Sequence, residues 1–291
     1  MSEYLKQHPE IFISEVKEPR FLSTQSNHSP LQGPGDAKRE SRYITDYNVY
    51  QKLFEPAKGY ETIGEASADT LYYYQRTIPA IKKYIGEQPK IIIMLRDPVK
   101  RAFSAYQHLV RDQRETLSFE EGLLREEERR QKNYELIWYY RGVSHYHDAV
   151  KAFMTNFDNV HVIINEDLRK QASAVFREVF TYLKVDPDFL IDTSIRYNKS
   201  GVPQNQWLHR FLFEEHWLKR VVRPITHRLT SPQFRQKTSS DLLNSNLQQM
   251  DINPDTAELL RLEFQDEKIQ LERLLNRKLP WLRPQSSTND T

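Results

Sequence analysis

The chain has 291 residues, with 42 Lys and Arg against 40 Asp and Glu for a net charge of +2; so even a balance excludes a nucleic-acid protein with a broad basic surface and leaves room only for a local basic cleft. There is no cysteine, which excludes disulfide scaffolds, thiol catalysis and cysteine-based zinc sites and fits a reducing, cytoplasmic setting. No run of about eighteen apolar residues occurs, and the N-terminus lacks a charged-then-apolar leader pattern, so neither a membrane span nor a signal segment is expected.

In chain order, residues 2–8 are expected to be helical and 11–14 extended. The polar, Pro- and Gly-containing stretch 26–42 reads as a mobile loop. A helix over 44–54 and a strand over 60–64 follow, then a helix over 68–84 with Leu71, Tyr74, Ile78 and Ile81 at helical spacing. The apolar run from Ile91 to Leu95 reads as a strand buried on both faces. Arg96-Asp97-Pro98 ends it, because proline has no N–H for a ladder and fits the first turn of a helix. That helix is expected over 99–111. Ser118 followed by Glu121 is a capping-box signature for a helix through residue 130, whose Glu/Arg run reads as a solvated face. A helix over 143–157, a strand over 160–165 and a helix over 170–183 come next. Beyond residue 193 the chain is polar, with helices expected at 206–218 and 256–274. Alternating strands and helices define an α/β parallel sheet. We read a single domain over 1–284 with a disordered tail over 285–291.

Arg96 falls at the C-terminal end of a buried strand, where open α/β sheets bind ligands. Ser104 lies eight residues on, in the next helix, with Arg101 between them. Two guanidiniums and a hydroxyl at such a junction suit an oxyanion; a surface turn with solvated charges is the plainer reading. His145 and His147 are two apart, so on a helix they do not share a face, and no metal site is expected there. Ser67 lacks the Gly-x-Ser-x-Gly turn of a hydrolase nucleophile. Trp138-Tyr139-Tyr140-Arg141 is either core packing or the edge of a cleft that stacks on a sugar or a base.

The stretch from Lys90 to Tyr106 resembles the 3′-phosphate-binding motif of sulfotransferases that use 3′-phosphoadenosine-5′-phosphosulfate (PAPS). The motif has an Arg at the strand end, a Ser eight residues later and an Arg-Ala-Tyr/Phe-Ser-x-Tyr continuation, matched by Arg101 to Tyr106. Other blocks keep the family's order. Tyr4 to Phe21 is similar to the first helix and loop of the heparan-sulfate and bacterial carbohydrate branch. Gly64-Glu65-Ala66-Ser67 resembles its Gly-Glu-x-Ser-Pro segment, with Ala68 for Pro. Gly142 to Phe157, Val160 to Leu168 and Leu271 to Trp281 resemble its later helix, strand and closing helix with Trp.

The resemblance implies a P-loop nucleotide-kinase-like parallel sheet flanked by helices. It also implies PAPS as co-substrate without a metal, and sulfuryl transfer to a hydroxyl or amine of a carbohydrate-type acceptor. Residue by residue, it makes Glu18 the catalytic base and gives Arg96 and Ser104, assisted by Arg101, the 3′-phosphate. Gln233 to Ser240 is a loose match for the basic loop that closes over the nucleotide. One family element has no counterpart. The first strand and its Gly-rich phosphosulfate loop are not found, and Met1 to Tyr4 already resembles the following helix. The expectation is therefore a sheet without its first, central strand. The alternative is a non-catalytic relative that binds nucleotide or polyanion weakly.

Overall fold

The computed structural model describes residues 1–25, 29–193, 202–203, 247–248 and 250–281. The expected helix at 206–218, the loop at 233–240 and the tail at 285–291 lie outside the described residues.

Two parallel strand pairs form the centre. β1 (Ile11–Ile13) pairs with β2 (Thr62–Gly64), Ile11 opposite Thr62. β3 (Ile91–Leu95) pairs with β4 (Val160–Ile164), Leu95 opposite Ile164. A short antiparallel contact joins β5 (Val202–Pro203) to β6 (Leu247–Gln248). The first two pairs are tied at one point. The Thr62 hydroxyl, at the start of β2, and the Lys90 ammonium, just before β3, both donate to the Leu183 carbonyl. The two pairs therefore begin at the same end, and their C-terminal ends share the other. Among the described residues β2 and β3 do not pair with each other, and neither has a second strand partner.

The side chains of β3 divide by period two between two layers, as a doubly buried strand requires. Ile92 and Met94 pack with β1, Ile163, α1 (Ser2–Leu5) and the long apolar face of a helix that ends at Leu183. Ile93 and Leu95 pack on the opposite side, among Phe21, Tyr50, Ile78, Ile81, Val150, Phe153 and Trp281. The helices of that second layer are α2 (Phe21–Thr24), α4 (Tyr47–Lys52), α5 (Asp69–Tyr72) and α6 (Tyr74–Tyr84); α3 (Asp36–Glu40), between α2 and α4 in the chain, lies outside it. α7 (Pro98–Arg111) and α8 (Phe119–Leu124) build a third cluster with Trp138, Tyr140 and Phe264, and α9 (Glu126–Gln131) follows α8. α10 (His147–Asn156), α11 (Asn165–Lys170), α12 (Ala172–Leu183), α13 (Pro254–Glu263) and α14 (Gln265–Leu274) complete the described helices.

Three expected helices are split. Residues 68–84 break at Tyr73 (φ −89°, ψ 31°), where the Thr77 hydroxyl donates to the Thr70 carbonyl and takes the place of a ladder bond. The 118–130 helix breaks at Arg125 and the 256–274 helix at Phe264 (φ −88°, ψ 4°), while residues 165–170 form the additional helix α11, separate from α12 at Gln171. The Glu/Arg run of α9 is solvated on one side only, at Arg125, Glu127 and Arg130. Glu126 and Arg129 are buried. Glu126 accepts the backbone N–H of Arg141 and of Gly142, both at 2.7 Å, and Arg129 bonds Glu115 at 2.7 Å beneath the Trp138 ring. The 26–42 stretch, expected as a loop, contains α3. Its first residue, Asp36, is fully buried among Arg114, Trp138 and the Glu135 backbone N–H.

Candidate active site

Four chain segments leave the C-terminal ends of the parallel strands, and they carry the candidate residues. After β3, Arg96 is half-buried and makes no hydrogen bond or ion pair with any described residue. A guanidinium in that position ordinarily has a carboxylate partner. Glu166 and Asp97 act on Arg96 electrostatically, Asp167 follows Glu166 in the chain, and each makes its hydrogen bonds elsewhere. Glu166 accepts the Asp97 backbone N–H at 3.2 Å through one oxygen and the Trp281 indole N–H at 2.9 Å through the other. Asp97 caps α7 by accepting the Lys100 N–H at 3.1 Å. Asp167 pairs with Arg277 at 2.6 Å. Burial, and then the Arg169 guanidinium, lower the pKa of Arg96, against Glu166, Tyr146 and Asp97.

Ser104 is half-buried on α7, and its hydroxyl bonds to no described residue. Arg101 is turned differently. Its guanidinium donates to the Tyr139 and Tyr140 carbonyls at 3.2 and 3.3 Å, and burial lowers its pKa. Arg101 thus fixes the Tyr139–Tyr140 segment beside the site, with the buried Tyr146 phenol among its electrostatic neighbours.

After β1, Glu18 is half-buried and its carboxylate accepts from Arg20 at 3.0 Å. Arg20 was not singled out from sequence, yet it is the hub of this corner. It is buried, and it also donates to the Tyr43 hydroxyl at 2.6 Å and to Glu135 at 3.0 Å. Burial works against its charge, but Asp69, Tyr43, Glu135 and Glu18 raise its pKa. The turn after β2 adds two carboxyls. Glu65 accepts from the Ser67 hydroxyl at 2.8 Å, and that oxygen accepts the Arg20 backbone N–H at 3.2 Å. Burial pushes Glu65 up to about 7, opposed by the Ser67 bond and helped by Asp69 and Glu18. Asp69 is buried, accepts from Ser23 at 2.5 Å through one oxygen and leaves the other without a partner; burial raises its pKa. The available sequence signal was Gly64-Glu65-Ala66-Ser67, read as a strand-end motif without a charge role.

A cleft of about 840 Å³ opens beside this corner, lined by Tyr72, Tyr73, Arg76, Arg130, Arg141 and His145 among others. Tyr73 and Arg76 also line a smaller cavity of about 70 Å³ with Arg20 and Asp69. Of the aromatic stretch 138–141, Trp138, Tyr139 and Tyr140 are buried in the core, and only Arg141 lines the cleft. His145 pairs with carboxylates, 3.9 Å from Glu263 and 3.4 Å from Glu267. Those two raise its pKa to about 9. Among the described residues no cluster of His, Asp or Glu is arranged to hold a metal.

Parallel strands whose C-terminal ends gather a partnerless arginine and a set of tuned carboxyls define an α/β protein with an anion-binding, proton-handling crevice. A model of the sulfotransferase family matches residues 1–188. The crystal structure of a sulfotransferase from Alicyclobacillus acidocaldarius is similar to this chain with a TM-score of 0.73 and 34% identity, covering 95% of this chain and 90% of that one. No curated protein matches. The chain belongs to the sulfotransferase family, and its activity is that of a transferase of sulfuryl groups.

Proposed function

We propose that this protein transfers the sulfuryl group of PAPS to a hydroxyl or amine of a carbohydrate-type acceptor. Arg96 and Ser104 hold the 3′-phosphate of the nucleotide, with Arg101 steadying the adjoining segment, and Glu18 takes the acceptor proton. The acceptor oxygen or nitrogen forms a bond to sulfur as the bond from sulfur to the bridging oxygen of PAPS breaks. The proton goes to Glu18 and then to solvent. The observation that carries this reading is Arg96 itself: a half-buried guanidinium at a strand end whose neighbouring acids are all engaged elsewhere. A ligand anion supplies what those acids do not.

The acceptor reading is supported by the large cleft, where tyrosine rings and arginines line one space; such a wall combines flat apolar surface with hydrogen-bond donors, as a sugar requires. The reading includes a P-loop nucleotide-kinase-like sheet within one domain over residues 1–284, and a cytoplasmic setting. It also leaves the place of the family's first, central strand open between β2 and β3 among the described residues. Two facts support that slot: the shared Leu183 carbonyl brackets the strand starts, and one apolar layer runs under β1, β3 and β4.

The test is transfer of label from PAPS to a panel of polysaccharides by the purified protein, with calorimetric titration of 3′-phosphoadenosine 5′-phosphate. Binding that depends on the 3′-phosphate, with labelled product, is expected. Binding without transfer to any acceptor points to the non-catalytic relative; no binding overturns the nucleotide assignment.

A further inference from the structure

We infer that Arg169 is a second cation of the nucleotide site, sharing the terminal phosphomonoester of the ligand with Arg96. This rests on the reading above, in which Arg96 takes the 3′-phosphate, and adds to it a residue from a different strand end.

The placement follows from register. Leu95 and Ile164 are opposite each other at the ends of β3 and β4, so the chains leave the sheet side by side at Arg96 and Asn165. The two exits are held together where the Asp97 backbone N–H donates to Glu166 at 3.2 Å. α11 begins at once, at Asn165. Arg169 is four residues on and therefore shares a helix face with Asn165, one turn above Arg96.

The charges then need accounting. Glu166 accepts the Asp97 N–H and the Trp281 indole N–H, Asp97 caps α7, and Asp167 pairs with Arg277, so none of the three hydrogen-bonds Arg96. Arg169 is exposed and, like Arg96, makes no hydrogen bond or ion pair with a described residue. Two guanidiniums thus stand close enough for Arg169 to lower the pKa of Arg96, with the local carboxylates directed elsewhere. Like charges so placed repel, and the arrangement is stabilised by an anion bridging them. A phosphomonoester carries about −1.5 to −2 charges at neutral pH and three acceptor oxygens, which suits two planar donors. A single carboxylate leaves one positive charge uncompensated. Arg96 reaches the phosphate from the sheet side and Arg169 from the solvent side.

The experiment is calorimetric titration of the full chain with 3′-phosphoadenosine 5′-phosphate and, separately, with 5′-AMP, which lacks the 3′-phosphate. Arg169→Ala is expected to weaken the bisphosphate about tenfold, the scale of one charge-assisted contact, and to leave 5′-AMP within twofold. Arg169→Lys is expected to recover part of the loss. The melting temperature of Arg169→Ala should match wild type, since the residue is exposed. Unchanged bisphosphate affinity in Arg169→Ala, alongside a loss in Arg96→Ala, overturns the inference and leaves the proposed function standing. Failure of wild type to bind the bisphosphate, or equal affinity for both ligands, overturns both.

Discussion

Glu18 and Arg20 form a 3.0 Å ion pair across Pro19, with both residues in the left-handed backbone region at φ +53° and +57°. Neither is glycine, so each carries a conformational cost of order 1–3 kcal/mol. The surroundings hold them there: Arg20 is clamped by Tyr43 and Glu135, and its backbone N–H by Ser67. The turn aims the Glu18 carboxylate rather than leaving it to a mobile loop. A carboxylate positioned this way is restricted to the orientation its partner allows.

Glu18→Gln keeps the size of the side chain and an acceptor for Arg20 but removes the base. Sulfuryl transfer should fall by ~10²–10⁴, with affinity for 3′-phosphoadenosine 5′-phosphate unchanged. Steady-state rates alongside calorimetry check this. Transfer within a few-fold of wild type would show that Glu18 takes no proton.

Arg20→Met should destabilise the fold strongly. It leaves Glu135 and Asp69 buried near one another without their shared cation, and breaking a buried pair typically costs about 3–5 kcal/mol. Urea denaturation monitored by tryptophan fluorescence measures it. A loss below about 1 kcal/mol would mean that the network reorganises around Arg114, which also bonds Glu135.

Stability should decline as pH rises, in two successive windows. Glu65 has an ordinary value of 4.5 and sits at about 7 in the fold, so the folded state binds more protons between those values and loses stability as pH climbs through them. His145 is raised from 6.5 to about 9 by Glu263 and Glu267. Its contribution is complete below 6.5 and disappears as pH passes about 9. Glu65→Gln should flatten the lower window only, and His145→Gln the upper one only. Melting temperature measured from pH 4 to 10 (values spanning both windows, about 4.5–9) separates the two; identical profiles in wild type and variants would refute the assignment.

Arg96→Ala should weaken 3′-phosphoadenosine 5′-phosphate roughly tenfold or more and leave 5′-AMP nearly unaffected. Equal loss for both ligands would place Arg96 on some group other than the 3′-phosphate.

What could be read from the sequence was local. The five apolar residues from Ile91 and the proline at 98 specify the β3–α7 junction by themselves, and Arg96 and Ser104 follow from it. The capping box at Ser118 and Glu121 is likewise a four-residue device, and both of its bonds are present. The acidic corner was hidden because its partners are remote. Arg20 meets Glu135, 115 residues away, and Glu126 meets the backbone of Arg141 and Gly142. Composition marked the α9 run as solvated because nothing in its own vicinity shows that a later loop folds over it. Arg169 stood in a charged stretch like several others. It became distinct only when the register of β3 and β4 placed it above Arg96 and the nearby acids were seen to be engaged.

The indole of Trp281 acts as a decoy. Its ring fills the core, but its N–H occupies one of the two oxygens of Glu166, an acid that acts electrostatically on Arg96. In Trp281→Phe the packing persists while that oxygen is released, and an internal carboxylate can then neutralise Arg96. Nucleotide affinity should drop although no ligand-contacting residue has changed and the fold is intact. The closing segment of the chain thereby sets how positive the crevice is, from behind the wall of the site.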